Sequence, residues 1–218
     1  MIHAVIFDMD GVLIDTERHL FDCWQQAAKE YGYMLTKEQL LGIRSLAAEF
    51  AVPHFRKLMG EAFDYAAIRS RRKELMRDYI AEHGVDKKPC VDEFLDYLHA
   101  NGYKTAVATA TDPERAKQYL SSIGIYEKFD KVVCVTTVAH GKPMPDVYLY
   151  ACEQICEQPE HCLAIEDSDN GALSAHRAGC HVVMVPDLAE PMPETAEYLE
   201  AVADDLSGVI PVLEAMKA

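Results

Sequence analysis

From about residue 86 the chain alternates short apolar, β-branched runs with amphipathic stretches, an order that few architectures accept. The runs are KTAVAT (104–109), KVVCVT (131–136), HCLAIED (161–167) and HVVMVP (181–186). Interleaved with them are CVDEFLDYLHANG (90–102), PERAKQYLSSIG (113–124), PDVYLYACEQICEQ (145–158) and NGALSAHRAG (170–179), with apolar residues at helical spacing. A helix between consecutive strands makes each connection a crossover, so the strands run parallel and helices cover both faces of the sheet. The expectation is an α/β fold with a Rossmann-like, doubly wound parallel sheet.

The opening AVIFDMDGVLID (4–15) permits two readings. An Asp-Gly pair between apolar runs is a hairpin signal. Alternatively, AVIFD is one more strand of the parallel sheet, ending on acids. The next seventy or so residues favour the second, because they carry helical spacing and almost no strand character: TERHLFDCWQQAAKEYGY (16–33), TKEQLLG (36–42), SLAAEFAVPHFRKLMG (45–60) and DYAAIRSRRKELMRDYIAEHG (64–84). A strand followed only by helices has no neighbour to pair with, so it must join the later strands. Thr36, with Glu38 and Gln39 after it, marks a helix start, and Gly32, Gly60 and Gly84 mark helix ends. The organisation expected is a core of residues 1–15 and 86–218 with a helical insertion at 16–85.

Ligands of open α/β sheets bind beyond the carboxyl ends of the strands. The residues at those ends are Asp8 and Asp10, Thr109, and the pair Glu166 and Asp167, with Lys142 in HGKPMPD shortly after the KVVCVT run. Strand residues two apart point the same way, so Asp8 and Asp10 hold negative charges close together unless a cation, proton or substrate offsets them. Hard oxygen ligands suit magnesium, and a hydroxyl with an ammonium can hold phosphoryl oxygens. Each residue alone has an ordinary explanation: Thr109 as a cap, Lys142 as a surface lysine, Asp167 and Ser168 as the start of a helix. Their order along separate strands of one sheet is what argues for a site.

FDMDGVLIDT, VATAT, GKPMPD and AIEDSDNG together resemble, in order, the four signature motifs of the haloacid dehalogenase superfamily, in the subgroup with a helical cap after the first strand. The resemblance spans the chain and is nearest to the branch of β-phosphoglucomutase and related small phosphatases, with Trp24 and Gly42 at comparable places. It implies Asp8 as nucleophile and Asp10 as general acid and base. It implies magnesium held by Asp8, Asp167 and the backbone carbonyl of Asp10, with Glu166 beside them. It also implies that Thr109, the amide of Ala110 and Lys142 hold the phosphoryl oxygens. The acid at position 10 points to oxygen–phosphorus chemistry, since relatives that need no proton donor lack it. GIRSLAAEF departs from the mutase pattern around Arg44, and Asp112 stands where the mutase has a lysine. Hydrolysis of a small phosphomonoester, foremost a sugar phosphate, is therefore expected ahead of a mutase reaction, and a non-catalytic binding role last. Arg44, His19 and the RSRRK run at 69–73 are the candidates for contact with the leaving group, the run also being readable as a solvated helix face.

Charge and composition narrow the partners. With 21 Lys and Arg against 36 Asp and Glu, the net charge of -15 disfavours nucleic acid and anionic membranes. The partner expected is a small phosphorylated metabolite, bound where positive charge is locally concentrated. No run approaches the ~18 apolar residues of a membrane span, and MIHAVIFDMDG lacks a basic flank and long apolar stretch, so a cytoplasmic protein is expected; a capped core needs no partner to complete its site, so a monomer is expected. The seven cysteines form no Cys-x-x-Cys pair and read as reduced thiols; Cys152, Cys156, His161 and Cys162 lack the paired spacing of a zinc site.

Overall fold

The computed structural model describes residues 1–217. Six strands, β1 (Ala4–Phe7), β2 (Lys104–Thr109), β3 (Lys131–Cys134), β4 (Cys162–Glu166), β5 (His181–Met184) and β6 (Ala201–Val202), form one sheet in the order β3-β2-β1-β4-β5-β6. Every pairing is parallel, and β1 is central, with Ile6 beside Ala106 on one side and Ala164 on the other. The opening acids thus end a strand and do not turn a hairpin.

Alternation along the strands sorts side chains between two layers. Val5, Phe7, Val107, Leu163, Ile165 and Val183 face one side, where α5 (Val91–Ala100) and α6 (Pro113–Ser122) bring Phe94, Leu98 and Leu120. Ala4, Ile6, Ala106, Ala108 and Ala164 face the other, where α7 (Asp146–Gln154) and α8 (Asp169–Ala178) contribute Tyr148, Ala151, Ala172 and Ala175. One face is filled by large residues; the other is mostly alanine and lets its helices approach closely. The two residues of β6 pair with Val183 and Met184, a strand too short to leave a sequence signal. Two short helices, α9 (Pro193–Ala196) and α10 (Ile210–Ala215), complete the chain.

Between β1 and α5 come α1 (Glu17–Glu30), α2 (Lys37–Leu41), α3 (Ala48–Met59) and α4 (Tyr65–His83). Thr36 starts α2 through a full capping box with Gln39, and Asp64 caps α4 by accepting from the Ala67 amide. These helices have their own apolar cluster, centred on Trp24, Phe55, Phe63, Tyr65 and Ile68. The outgoing and returning segments are hydrogen-bonded, Asp15 N to Asp86 O at 2.9 Å and Lys88 N to Leu13 O at 3.0 Å, so the helices leave and rejoin the sheet at one place. Among the described residues no helix is long and apolar enough to cross a membrane.

Candidate active site

The carboxyl ends of β1, β2 and β4 converge because these strands are neighbours in register. Asp8 follows β1, Thr109 ends β2, and Glu166 ends β4 with Asp167 next; all four are buried. Lys142 reaches them from the segment before α7 and is fully enclosed. Its Nζ donates to Asp8 Oδ1 at 2.5 Å and to Glu166 Oε1 at 2.6 Å, and lies 5.2 Å from the ring centre of Tyr148. Tyr148 also donates to Glu166 Oε1, at 2.6 Å.

Burial pushes the carboxyl of Asp8 well above the usual range, against the attraction of Lys142, and does the same to Asp167 against Arg44. Burial alone would pull Lys142 down, but Asp8 and Glu166 more than offset it and hold the ammonium above its ordinary value. The lysine therefore stays charged where the acids are costly to ionise.

Asp8, Glu166 and Asp167 each offer a carboxylate oxygen, and the three oxygens lie within 4.8 Å of one another. Glu166 Oε2 is buried with no hydrogen-bond partner among the described residues. The loops keep space for these acids with glycine. A Cβ at Gly11, where φ is +88°, would sit 2.2 Å from Asp167 Oδ2, and one at Gly171 would sit 2.1 Å from Glu166 Oε2. Three hard oxygen donors with an unsatisfied atom fit a divalent cation.

Asp10 is directed elsewhere. Its Oδ1 accepts from Thr16 Oγ1 at 2.6 Å and its Oδ2 from Thr111 Oγ1 at 2.9 Å, so its carboxylate is fixed between hydroxyls from the start of the insertion and from the loop after β2. Thr109 Oγ1 accepts from the Thr111 amide at 3.0 Å, shaping the loop after β2. Asp8, Asp10, Ala110 and Thr111 open onto one cavity of about 120 Å³, whose far wall is Trp24, Leu40, Tyr65 and other residues of the insertion.

The chain matches the family model described as haloacid dehalogenase-like hydrolase over residues 5–185. It is a member of that hydrolase family. A phosphorylated carbohydrates phosphatase from Thermotoga maritima is 31% identical over 176 residues, 81% of each chain. A β-phosphoglucomutase from Bacillus subtilis is 29% identical over 190 residues, 84% of this hydrolase and 82% of the relative. In fold, the hydrolase is similar to the crystal structure of β-phosphoglucomutase from Clostridium difficile, with a TM-score of 0.82 and 20% identity over the whole of both chains.

The candidates for leaving-group contact divide. Arg44 borders the cavity, but its Nη2 donates to the backbone oxygen and Oδ2 of Asp167, and its Nε is 3.6 Å from Glu17 Oε2. Asn170 holds that turn of the hydrolase by donating to the carbonyl oxygens of Gly42 and Arg44. His19 bonds to the Tyr79 hydroxyl at 3.0 Å with their rings stacked, a structural pairing. Of the basic run, Arg69 and Arg72 border the cavity, whereas Arg71 pairs outward with Glu30 and Glu74. The cysteines are free: Cys156 is exposed, and Cys152 packs against Cys162 and Cys180 in the core.

Sequence reasoning missed Glu17. Burial pushes its carboxyl from 4.5 up to about 7, with Arg44 and Arg72 opposing the rise and Asp10 and Asp187 adding to it. A carboxyl raised on folding binds its proton first in the folded chain, so its contribution to stability is present below pH 4.5 and lost as the pH climbs through 7. Glu17→Gln removes that dependence. In urea titrations without added metal, the variant is expected to gain about 2 to 3 kcal/mol on the parent between about pH 5 and pH 8. A constant difference across that window would show that Glu17 is ionised throughout.

Proposed function

We propose that this hydrolase is a magnesium-dependent phosphatase that releases phosphate from a small phosphomonoester, with a sugar phosphate as the leading substrate class, through a phosphorylated Asp8. The observation that carries the reading is the division of labour between two acids beside one cavity. Asp8 is held by an ammonium among carboxylates, and Asp10 by two hydroxyls away from them.

In this scheme an oxygen of Asp8 attacks phosphorus as the ester P–O bond breaks, and Asp10 gives its proton to the departing alkoxide. Thr16 and Thr111 can each donate or accept, so their hydroxyls can partner the Asp10 carboxyl on both sides of its proton transfers. Asp10 then takes a proton from water, which attacks phosphorus, frees inorganic phosphate and restores Asp8. Lys142 and Thr109 hold the phosphoryl oxygens and stabilise the charge that develops on them. Magnesium, when bound by Asp8, Asp167, the Asp10 carbonyl and Glu166, supplies countercharge for the acids and the phosphoryl group. The insertion of residues 16–85 serves as a cap whose wall around Trp24 and Tyr65 meets the leaving group and excludes water.

The B. subtilis relative motivates a second reading, in which a sugar hydroxyl replaces water as the acceptor. One experiment separates the two: phosphate release from a panel of sugar phosphates with magnesium, run beside β-glucose 1-phosphate plus its 1,6-bisphosphate. Magnesium-dependent release from one or a few esters supports the phosphatase. Glucose 6-phosphate formed with little free phosphate establishes the mutase instead.

A further inference from the structure

The cap wall contains a cation that nothing in the catalytic scheme uses. Arg72, on the cavity side of α4, is 9% exposed, and its Nε is buried without a hydrogen-bond partner among the described residues. No carboxylate of the described residues pairs with it; its guanidinium carbon lies 5.1 Å from the centre of the Trp24 ring instead. With one face against Trp24 and no described carboxylate on its edge, the guanidinium keeps the edge donors that bind oxyanions.

Its surroundings are cationic as well. Arg69, one turn earlier on α4, borders the same cavity, as does Arg115 on α6. Arg115 carries its own counter-ion, Asp112, at 2.6 Å, but no described salt bridge neutralises Arg69 or Arg72. Burial, with Arg69 and Arg115 adding to it, pulls Arg72 down to about 10, while Tyr65 and Asp10 oppose the fall. A buried cation beside another is costly, and a chain of net charge -15 has acids to spare for pairing. Arg71, the neighbour on the outer face, takes two of them, Glu30 and Glu74. The inner arginines are left open to the cavity that holds Asp8 and Asp10.

We propose that Arg72 and Arg69, with Arg115 at the margin, form a second anion subsite, and that the preferred substrate is a phosphomonoester whose leaving group carries a further carboxylate or phosphate. This deepens the phosphatase reading and rests on it for the placement of the first phosphate. The transferred phosphoryl group meets Lys142 and Thr109 at the sheet, and the second anion meets the arginines across the cavity. Bidentate pairing at Arg72 then rewards a leaving group of fitting length and leaves a neutral one facing an unpaired charge.

The test uses matched esters that differ only at the far end: glucitol 6-phosphate, 6-phosphogluconate and glucitol 1,6-bisphosphate, with glycerol 3-phosphate and 3-phosphoglycerate as the shorter pair. In the full-length enzyme with magnesium, at least one charged ester is expected to exceed its neutral partner about tenfold or more in kcat/KM, mainly through KM. The arm that responds tells carboxylate from phosphate. Arg72→Gln is expected to collapse that ratio to within about threefold, Arg72→Lys to keep part of it, and Arg69→Gln to lower it in a background with Arg72 intact. Calorimetric binding of the same compounds to Asp8→Asn reads the subsite without turnover. Equal binding of charged and neutral members there, or a ratio that survives both glutamine variants, overturns the subsite. Discrimination in binding with no phosphate release from any ester overturns the phosphatase reading and leaves the subsite standing.

Discussion

Asp8→Asn is expected to lower phosphate release from every ester by about a thousandfold or more while leaving the protein folded. The amide keeps the shape of the carboxylate but cannot open a covalent path to phosphorus. Folding survives because the wild-type carboxylate is itself unfavourable where it sits. Burial pushes the carboxyl of Asp8 well above the usual range, and only Lys142 opposes the rise. The variant gives up a charge-assisted hydrogen bond at 2.5 Å but also removes one of three clustered acids. Those changes offset, so urea midpoints should place the two proteins within about 1 to 2 kcal/mol of each other. Rapid quench followed by mass spectrometry should find a phosphoryl group on the Asp8 peptide of the wild type alone. Undiminished turnover by the variant would remove Asp8 from the nucleophile role, and turnover without a phosphorylated peptide would point to direct attack by water.

The parallel sheet was legible because its inner strands are buried on both faces and therefore read as largely apolar runs. Even the asymmetry of its layers is visible in the alternation of alanine with valine, isoleucine and phenylalanine. Strand ends are fixed by backbone geometry, so Asp8, Thr109 and Glu166 could be placed near one another from their positions in those runs. Helical residues lack that constraint. RSRRK is basic on every face of α4, and only the packing of that helix against Trp24 turns Arg72 inward and Arg71 toward Glu30. Gly42 shows where the chain bends before Arg44, but not that Asp167 and Glu17 lie close enough to engage the guanidinium. Glu17 and Tyr148 sit at positions whose burial depends on contacts with distant segments, and neither carries a local signal.

Lys142→Met is expected to cost both stability and activity, in contrast to Asp8→Asn, because it removes the compensation and leaves the charges. The methionine has nearly the right length and no ammonium, so Asp8 and Glu166 lose their shared donor while Tyr148 remains on Glu166. Breaking a buried pair from the cationic side leaves buried acids without their countercharge, a loss of about 3 to 5 kcal/mol in urea titrations without metal. Turnover should fall about a hundredfold or more if, as proposed, the ammonium beside Asp8 also stabilises the phosphoryl oxygens. Millimolar magnesium should recover more stability in Lys142→Met than in the wild type, because the same acid cluster is then richer in uncompensated charge. Activity should not recover in parallel: a cation among Asp8, Glu166 and Asp167 neutralises the acids without reproducing the donor at Lys142 Nζ. Equal stability of the two proteins in metal-free buffer would show that the acids are protonated in the folded chain, and that Lys142 is held there for phosphoryl chemistry alone.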